Sequence, residues 1–202
     1  MDVGAVLCDL DGVLVDSTAA VLRCWHRLAD RHGVDHELVE STIHGRPARD
    51  SIALLLPDAD IDAEAALLAE WELADLDGVR ALPGALELRG RLPEERFAIV
   101  TSCVTPLDHA RMGAAGIAPP RALVTADRVR RGKPDPECYL LAARELGVPP
   151  ERCLVVEDAP AGLAAARAAG MPTAAVTTTH DTAFLDADLV VGTVADLLPL
   201  VA

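Results

Sequence analysis

The sequence predicts an α/β fold: a doubly wound, Rossmann-like parallel sheet with an all-helical domain inserted after the first strand. Three observations predict it. Short apolar runs (Val3 to Cys8, Phe97 to Val100, Ala122 to Thr125, Cys153 to Val156, Thr173 to Val176) are separated by helical stretches. That alternation implies parallel strands joined by right-handed crossovers. Between residues 17 and 82 the pattern is helical throughout and contains no convincing strand. Finally, the 202-residue chain is 51% hydrophobic but only 2% aromatic, so its core is built from Ala, Leu and Val, which suits helices packed on a parallel sheet. Residues 1–16 and 83–202 are therefore read as the α/β core and 17–82 as the insert.

The first run, Val3 to Cys8, is a strand buried on both faces. Ser17 is placed to cap a helix reaching His32, with Ala20, Val21, Cys24, Leu28 and Ala29 on its apolar face and Gly33 as its stop. Further helices are expected over His36 to Thr42, Ala48 to Leu56 and Asp62 to Leu76. In the last, Ala65, Ala66, Leu68, Ala69, Leu73 and Leu76 fall largely on one side. Asp77 to Gly84 reads as the return linker. Helices then follow over Gly84 to Arg91, Pro106 to Ala115, Glu137 to Leu146 and Pro160 to Ala169, with strands between them. Leu189 to Val191 is a candidate edge strand, and Thr193 caps a short last helix, Val194 to Leu198.

A net charge of −14 without a basic tract leaves no basis for a nucleic-acid partner. It also means that an anionic ligand needs local positive charge. No stretch approaches membrane-spanning length, and the opening residues lack the basic region of a signal peptide. The five cysteines (Cys8, Cys24, Cys103, Cys138, Cys153) form no CxxC pair and read as packed thiols of a reducing cytoplasm. Lys133 is the single lysine among 18 Lys and Arg residues. A chain that otherwise uses Arg keeps Lys where a compact ammonium is needed.

The ends of the strands carry the chemistry. The first runs into Asp9-Leu10-Asp11-Gly12; on its own this could be a strand and an Asp-Gly turn. Others end in Thr101-Ser102 and Glu157-Asp158, and a further strand feeds the loop bearing Lys133. Parallel strands bring all of these to one edge, where doubly wound folds bind ligands. Paired carboxylates there call for a hard divalent cation. The set suits phosphoryl transfer: a carboxylate nucleophile, an acid/base, donors for phosphoryl oxygens and a charge-balancing lysine.

In order along the chain, Asp9 to Ser17, Val100-Thr101-Ser102, Gly132-Lys133-Pro134-Asp135-Pro136-Glu137 and Val156 to Gly162 resemble the four signature motifs of the haloacid dehalogenase superfamily. The helical insert resembles that superfamily's α-helical cap, and the chain is similar to its sugar- and polyol-phosphate phosphatases, including 2-deoxyglucose-6-phosphate and glycerol-phosphate phosphatases. The resemblance implies a Mg²⁺-dependent phosphomonoesterase acting through an aspartyl-phosphate. It assigns Asp9 as nucleophile and metal ligand and Asp11 as acid/base with its carbonyl on the metal. Thr101 and Ser102 then bind phosphate, Lys133 balances charge, Asp158 is a direct metal ligand and Glu157 one acting through water. The implied partner is a small phosphorylated metabolite, for a monomer or weak dimer.

Three relatives differ. Dehalogenases lack the second aspartate, present here as Asp11. Phosphosugar mutases keep a histidine where this chain has Val21, and phosphonate-cleaving relatives need a cap lysine. A mutase of the β-phosphoglucomutase kind, phosphoglycolate phosphatase activity and a non-catalytic module are the remaining alternatives. His44, Arg46 and Arg49, between cap helices, are candidate substrate contacts, the alternative being solvated helix-end charges. Trp25, Trp71 and Asp50 are read as cap features, the remaining histidines as surface residues, and Cys103 as a packed thiol.

Overall fold

The computed structural model describes residues 3–43 and 46–200. Strand β1 (Ala5–Cys8) is followed by a tight turn and the two-residue β2 (Val15–Asp16). Helices α1 (Thr18–His32), α2 (His36–Ile43), α3 (Ala48–Leu55) and α4 (Ile61–Ala74) come next, then β3 (Arg80–Ala81). The remaining chain alternates: α5 (Ala85–Arg91), β4 (Phe97–Val100), α6 (Leu107–Ala114), β5 (Ala122–Val124), α7 (Glu137–Leu146), β6 (Cys153–Glu157), α8 (Pro160–Ala168), β7 (Thr173–Val176) and β8 (Leu189–Val191). A 3-10 turn over Val194–Leu197 replaces the short last helix; Thr193 and Asp196 close it with the reciprocal bonds of a capping box.

Six strands form one parallel sheet in the order β5-β4-β1-β6-β7-β8. The order reverses at β1, so the crevice for a ligand lies beyond its carboxyl end. All four residues of β1 are fully buried. Val6 and Cys8 join the apolar cluster containing Leu88 and Met112, whereas Ala5 and Leu7 join the one containing Tyr139 and Ala166. The two-residue period of a strand thus sends alternate side chains to opposite helical layers, which is why the run carries no polar face.

Helices α1–α4 pack around an apolar cluster of their own, with Trp25, Leu28, Val39, Ile52 and Leu68 at its centre. Two features here lie outside what the sequence pattern predicts. The return linker is not free: Arg80 and Ala81 pair antiparallel with Asp16 and Val15, and Arg80 ion-pairs with Asp16. Two-residue strands are too short for periodicity to register. On α4 the buried row is Glu64, Leu68 and Glu72, spaced i, i+4, i+8, while Ala66 is exposed. Buried acids on an apolar helix require partners, and the charged partner of Glu72 lies outside the insert.

Candidate active site

The turn after β1 is built to project two carboxylates. Leu10, Val13, Leu14 and Val15 are buried beneath it. Gly12 has φ +82°, and a Cβ there would overlap the Asp158 carboxylate. Asp9 (6% exposed), Lys133 (3%), Glu157 (0%) and Asp158 (4%) meet at the carboxyl edge of the sheet. Lys133 Nζ donates to Asp9 Oδ1 at 2.8 Å, Glu157 Oε1 at 2.6 Å and the Val100 carbonyl at 3.0 Å. All three ammonium donors are therefore used. Burial opposes that charge, but Asp9 and Glu157 outweigh it and raise the Lys133 pKa. Burial pushes the Asp9 carboxyl up to about 7, with Lys133 working against the rise and Glu157 adding to it. Asp158 is also pushed well up, by burial and then by Glu157 and Asp9.

One carboxylate oxygen each from Asp9, Glu157 and Asp158 lies within 4.8 Å of the others. Three oxygen donors crowded together in a buried pocket, with elevated proton affinity at two of them, fit a small hard cation. Glu157 is further held by the Tyr139 hydroxyl, which donates to Oε1 at 2.5 Å, and Asp158 by Thr179.

The remaining predicted residues sit around this centre. Thr101 is buried and its Oγ1 accepts the Cys103 N–H at 3.0 Å; the Ser102 Oγ is buried with no hydrogen-bond partner. Both line a cavity of about 600 Å³ that Asp9, Asp11 and Asp158 share with the helical insert. Asp11 is adjacent, and its carboxylate is held by partners outside the acid cluster. Oδ1 accepts from Ser17 Oγ at 2.5 Å, and Oδ2 from Cys103 Sγ at 3.0 Å and Arg111 Nη1 at 2.8 Å. Ser17 therefore makes no side-chain cap bond to α1, contrary to expectation. Cys103 is not merely packed, since it also accepts from Arg111. Arg46 and Arg49 reach the cavity wall but are exposed, and Arg49 pairs with Asp62. His44 lies outside the described residues.

Sequence reasoning misses Arg111, Glu72, Tyr139, Thr179 and His180. His180 is half-buried, with Nδ1 3.1 Å from the Asp158 carbonyl, rather than a surface residue. A signal did exist for Arg111: it falls in the row Leu107, Asp108, Arg111, Met112, the buried face of α6. A charge in an apolar stripe marks a buried pair.

Gly162 near the start of α8 allows that helix to lie against Glu157; a Cβ there would overlap the carboxylate. On an exposed helix Gly→Ala stabilises by about 1 kcal/mol. Here Gly162→Ala is expected to destabilise by about 1–3 kcal/mol in urea unfolding, through overpacking. A stabilised variant would mean that α8 shifts without cost.

Residues 3–170 match the family of haloacid dehalogenase-like hydrolases. The chain is 46% identical over 190 residues to hexitol phosphatase A of Escherichia coli, covering 91% of this chain and 88% of that one. It is 34% identical over 197 residues to glycerol-1-phosphate phosphohydrolase 2 of Saccharomyces cerevisiae, covering 92% and 79%. The crystal structure of a hydrolase from Pseudomonas syringae superposes with a TM-score of 0.86 at 28% identity, covering 97% and 96%. By motif, fold and relatives alike, this chain belongs to the haloacid dehalogenase-like hydrolase family.

Proposed function

We propose that the protein is a Mg²⁺-dependent phosphomonoesterase that hydrolyses a small sugar or polyol phosphate through an aspartyl-phosphate on Asp9. The observation that carries this reading is the buried Lys133–Asp9 pair beside two further acids, with Asp9 and Asp158 of that group lining a cavity sized for a metabolite. The names of the relatives, a hexitol phosphatase and a glycerol-1-phosphate phosphohydrolase, support the substrate class. Five free cysteines suit a cytoplasmic enzyme.

In the first step a carboxylate oxygen of Asp9 bonds to phosphorus as the ester P–O bond breaks. The Asp11 carboxyl gives its proton to the departing alkoxide. In the second step a water attacks the same phosphorus, its proton passes to Asp11, and the Asp9–phosphorus bond breaks to release orthophosphate. Thr101, Ser102 and nearby backbone N–H groups hold the peripheral oxygens, and Lys133 balances the accumulating charge. Asp9 and Asp158, the Asp11 carbonyl and Glu157 would hold the metal, the last through water. Mg²⁺ there offsets the repulsion between anionic nucleophile and anionic ester. Residues 17–82 act as a cap whose closure excludes bulk water.

The test is orthophosphate release across sugar, polyol, glycolate and nucleotide monophosphates. Release from a sugar or polyol ester, lost on EDTA addition and restored by Mg²⁺, is expected; no release from any ester, or indifference to chelation, refutes the reading. Val21 lines the cavity and has no group to shuttle a proton. A hexose 1-phosphate is accordingly expected to yield orthophosphate and not the 6-phosphate that a mutase would form.

A further inference from the structure

Arg111 is 4% exposed and belongs to α6 of the sheet core. Its Nη1 donates to Asp11 Oδ2 and to Cys103 Sγ, each at 2.8 Å, while Nη2 lies 3.4 Å from Glu72 Oε1. Glu72 is itself buried, but it comes from α4 of the helical insert. The other Asp11 oxygen is held by Ser17, at the start of the insert. The Asp11 carboxylate is therefore gripped from two sides, and the guanidinium that grips it is seated against a carboxylate of the other structural unit. Neither buried charge is tolerable alone, because an uncompensated ion in the interior costs several kcal/mol. The guanidinium stays charged: burial opposes it, but Asp11, Cys103 and Glu72 outweigh burial.

We propose that Arg111 is a positioning residue that aims the Asp11 carboxyl at the leaving-group oxygen, and that Glu72 of the insert holds Arg111 in place to do so. The arrangement ties the seating of the helical insert to the proton-transfer step. This rests on the reading of Asp11 as acid/base. Arg111 itself need not touch substrate; its contribution is the orientation of another side chain, an effect that general-acid geometry makes large.

Leaving groups of different basicity separate this role from a structural one. Nitrophenolate departs without protonation, phenolate benefits from it and an alkoxide needs it. We measure kcat/KM for p-nitrophenyl phosphate, phenyl phosphate and glycerol 1-phosphate with the full chain and Mg²⁺. Asp11→Asn provides the reference series. Arg111→Met is expected to lose no more than about 5-fold on p-nitrophenyl phosphate, about 30-fold on phenyl phosphate and about 100-fold on the alkyl ester, the last reaching the lower end of general-acid effects. Glu72→Gln should give the same graded pattern with smaller losses, and Arg111→Lys should recover part of the alkyl-ester activity. Should a single variant fail to fold, the double variant Arg111→Met/Glu72→Met removes both buried charges together and must reproduce the gradient. Equal losses on all three esters would overturn the inference and make Arg111 a phosphate-binding or purely structural residue. A graded Asp11→Asn series beside a flat Arg111→Met series removes this inference alone. A flat Asp11→Asn series removes the acid/base reading and this inference with it.

Discussion

Asp9→Asn is expected to lower phosphomonoester turnover by about 10⁴-fold or more, the scale seen when a nucleophile is removed. The substitution is close to isosteric, and the side-chain oxygen that remains still accepts from Lys133 Nζ, 2.8 Å from Asp9 Oδ1 in the native site. It also removes a carboxylate that burial, with Glu157 adding to it, pushes up to about 7. The fold should therefore survive, with an unfolding midpoint near that of the native protein. What is lost is the nucleophile, since an amide oxygen forms no stable bond to phosphorus. Rapid acid quench with radiolabelled substrate checks this directly: native enzyme should retain an acid-stable label and the variant none. Native-like turnover in Asp9→Asn would move the nucleophile elsewhere and remove the mechanism.

Lys133→Arg is expected to reduce kcat/KM by about 10²–10³-fold, the scale of losing one preorganised electrostatic contact. Three acceptors surround Nζ at 2.6–3.0 Å in a site where the residue is 3% exposed. A tetrahedral ammonium satisfies three acceptors spread around it, whereas a planar guanidinium is larger and directs its donors into one plane. The charge would be conserved and its position lost. Thermal unfolding accompanies the kinetics: a modest shift in Tm with a large loss in kcat/KM assigns the effect to geometry at the site. Near-native rates would make the lone lysine incidental.

Much of this arrangement could be read from the chain because β1, β4 and β6 are buried on both faces. A strand with no solvent face leaves an uninterrupted apolar run, and the polar residue that ends it is then conspicuous. Asp9, Thr101, Glu157 and Asp158 were all legible in this way, and Lys133 by its uniqueness. What escaped notice depends on contacts between distant segments. Ser17 has the identity and place of a helix cap, yet Asp11 captures its hydroxyl. Glu72 lies in a helix whose alanines and leucines suggest an apolar stripe, yet it is buried because Arg111, 39 positions onward, meets it. Nothing in the pattern marks Tyr139, and only the fold shows its hydroxyl against Glu157. The β2–β3 pairing was invisible because neither strand is long enough to show a period.

That pairing has a wider consequence. The polypeptide enters the helical insert through Val15–Asp16 and leaves it through Arg80–Ala81, and these crossings lie side by side, bonded to each other. Exit and re-entry thus share a single narrow ribbon. The same closeness makes the insertion topologically neutral: a different helical module with equally adjacent ends could be grafted between residues 16 and 80 without reordering a single strand, provided that it replaced the contacts of Ser17 and Glu72. Sheet and insert are thus separable in topology, yet Ser17 and Glu72 of the insert join them at Asp11 and Arg111.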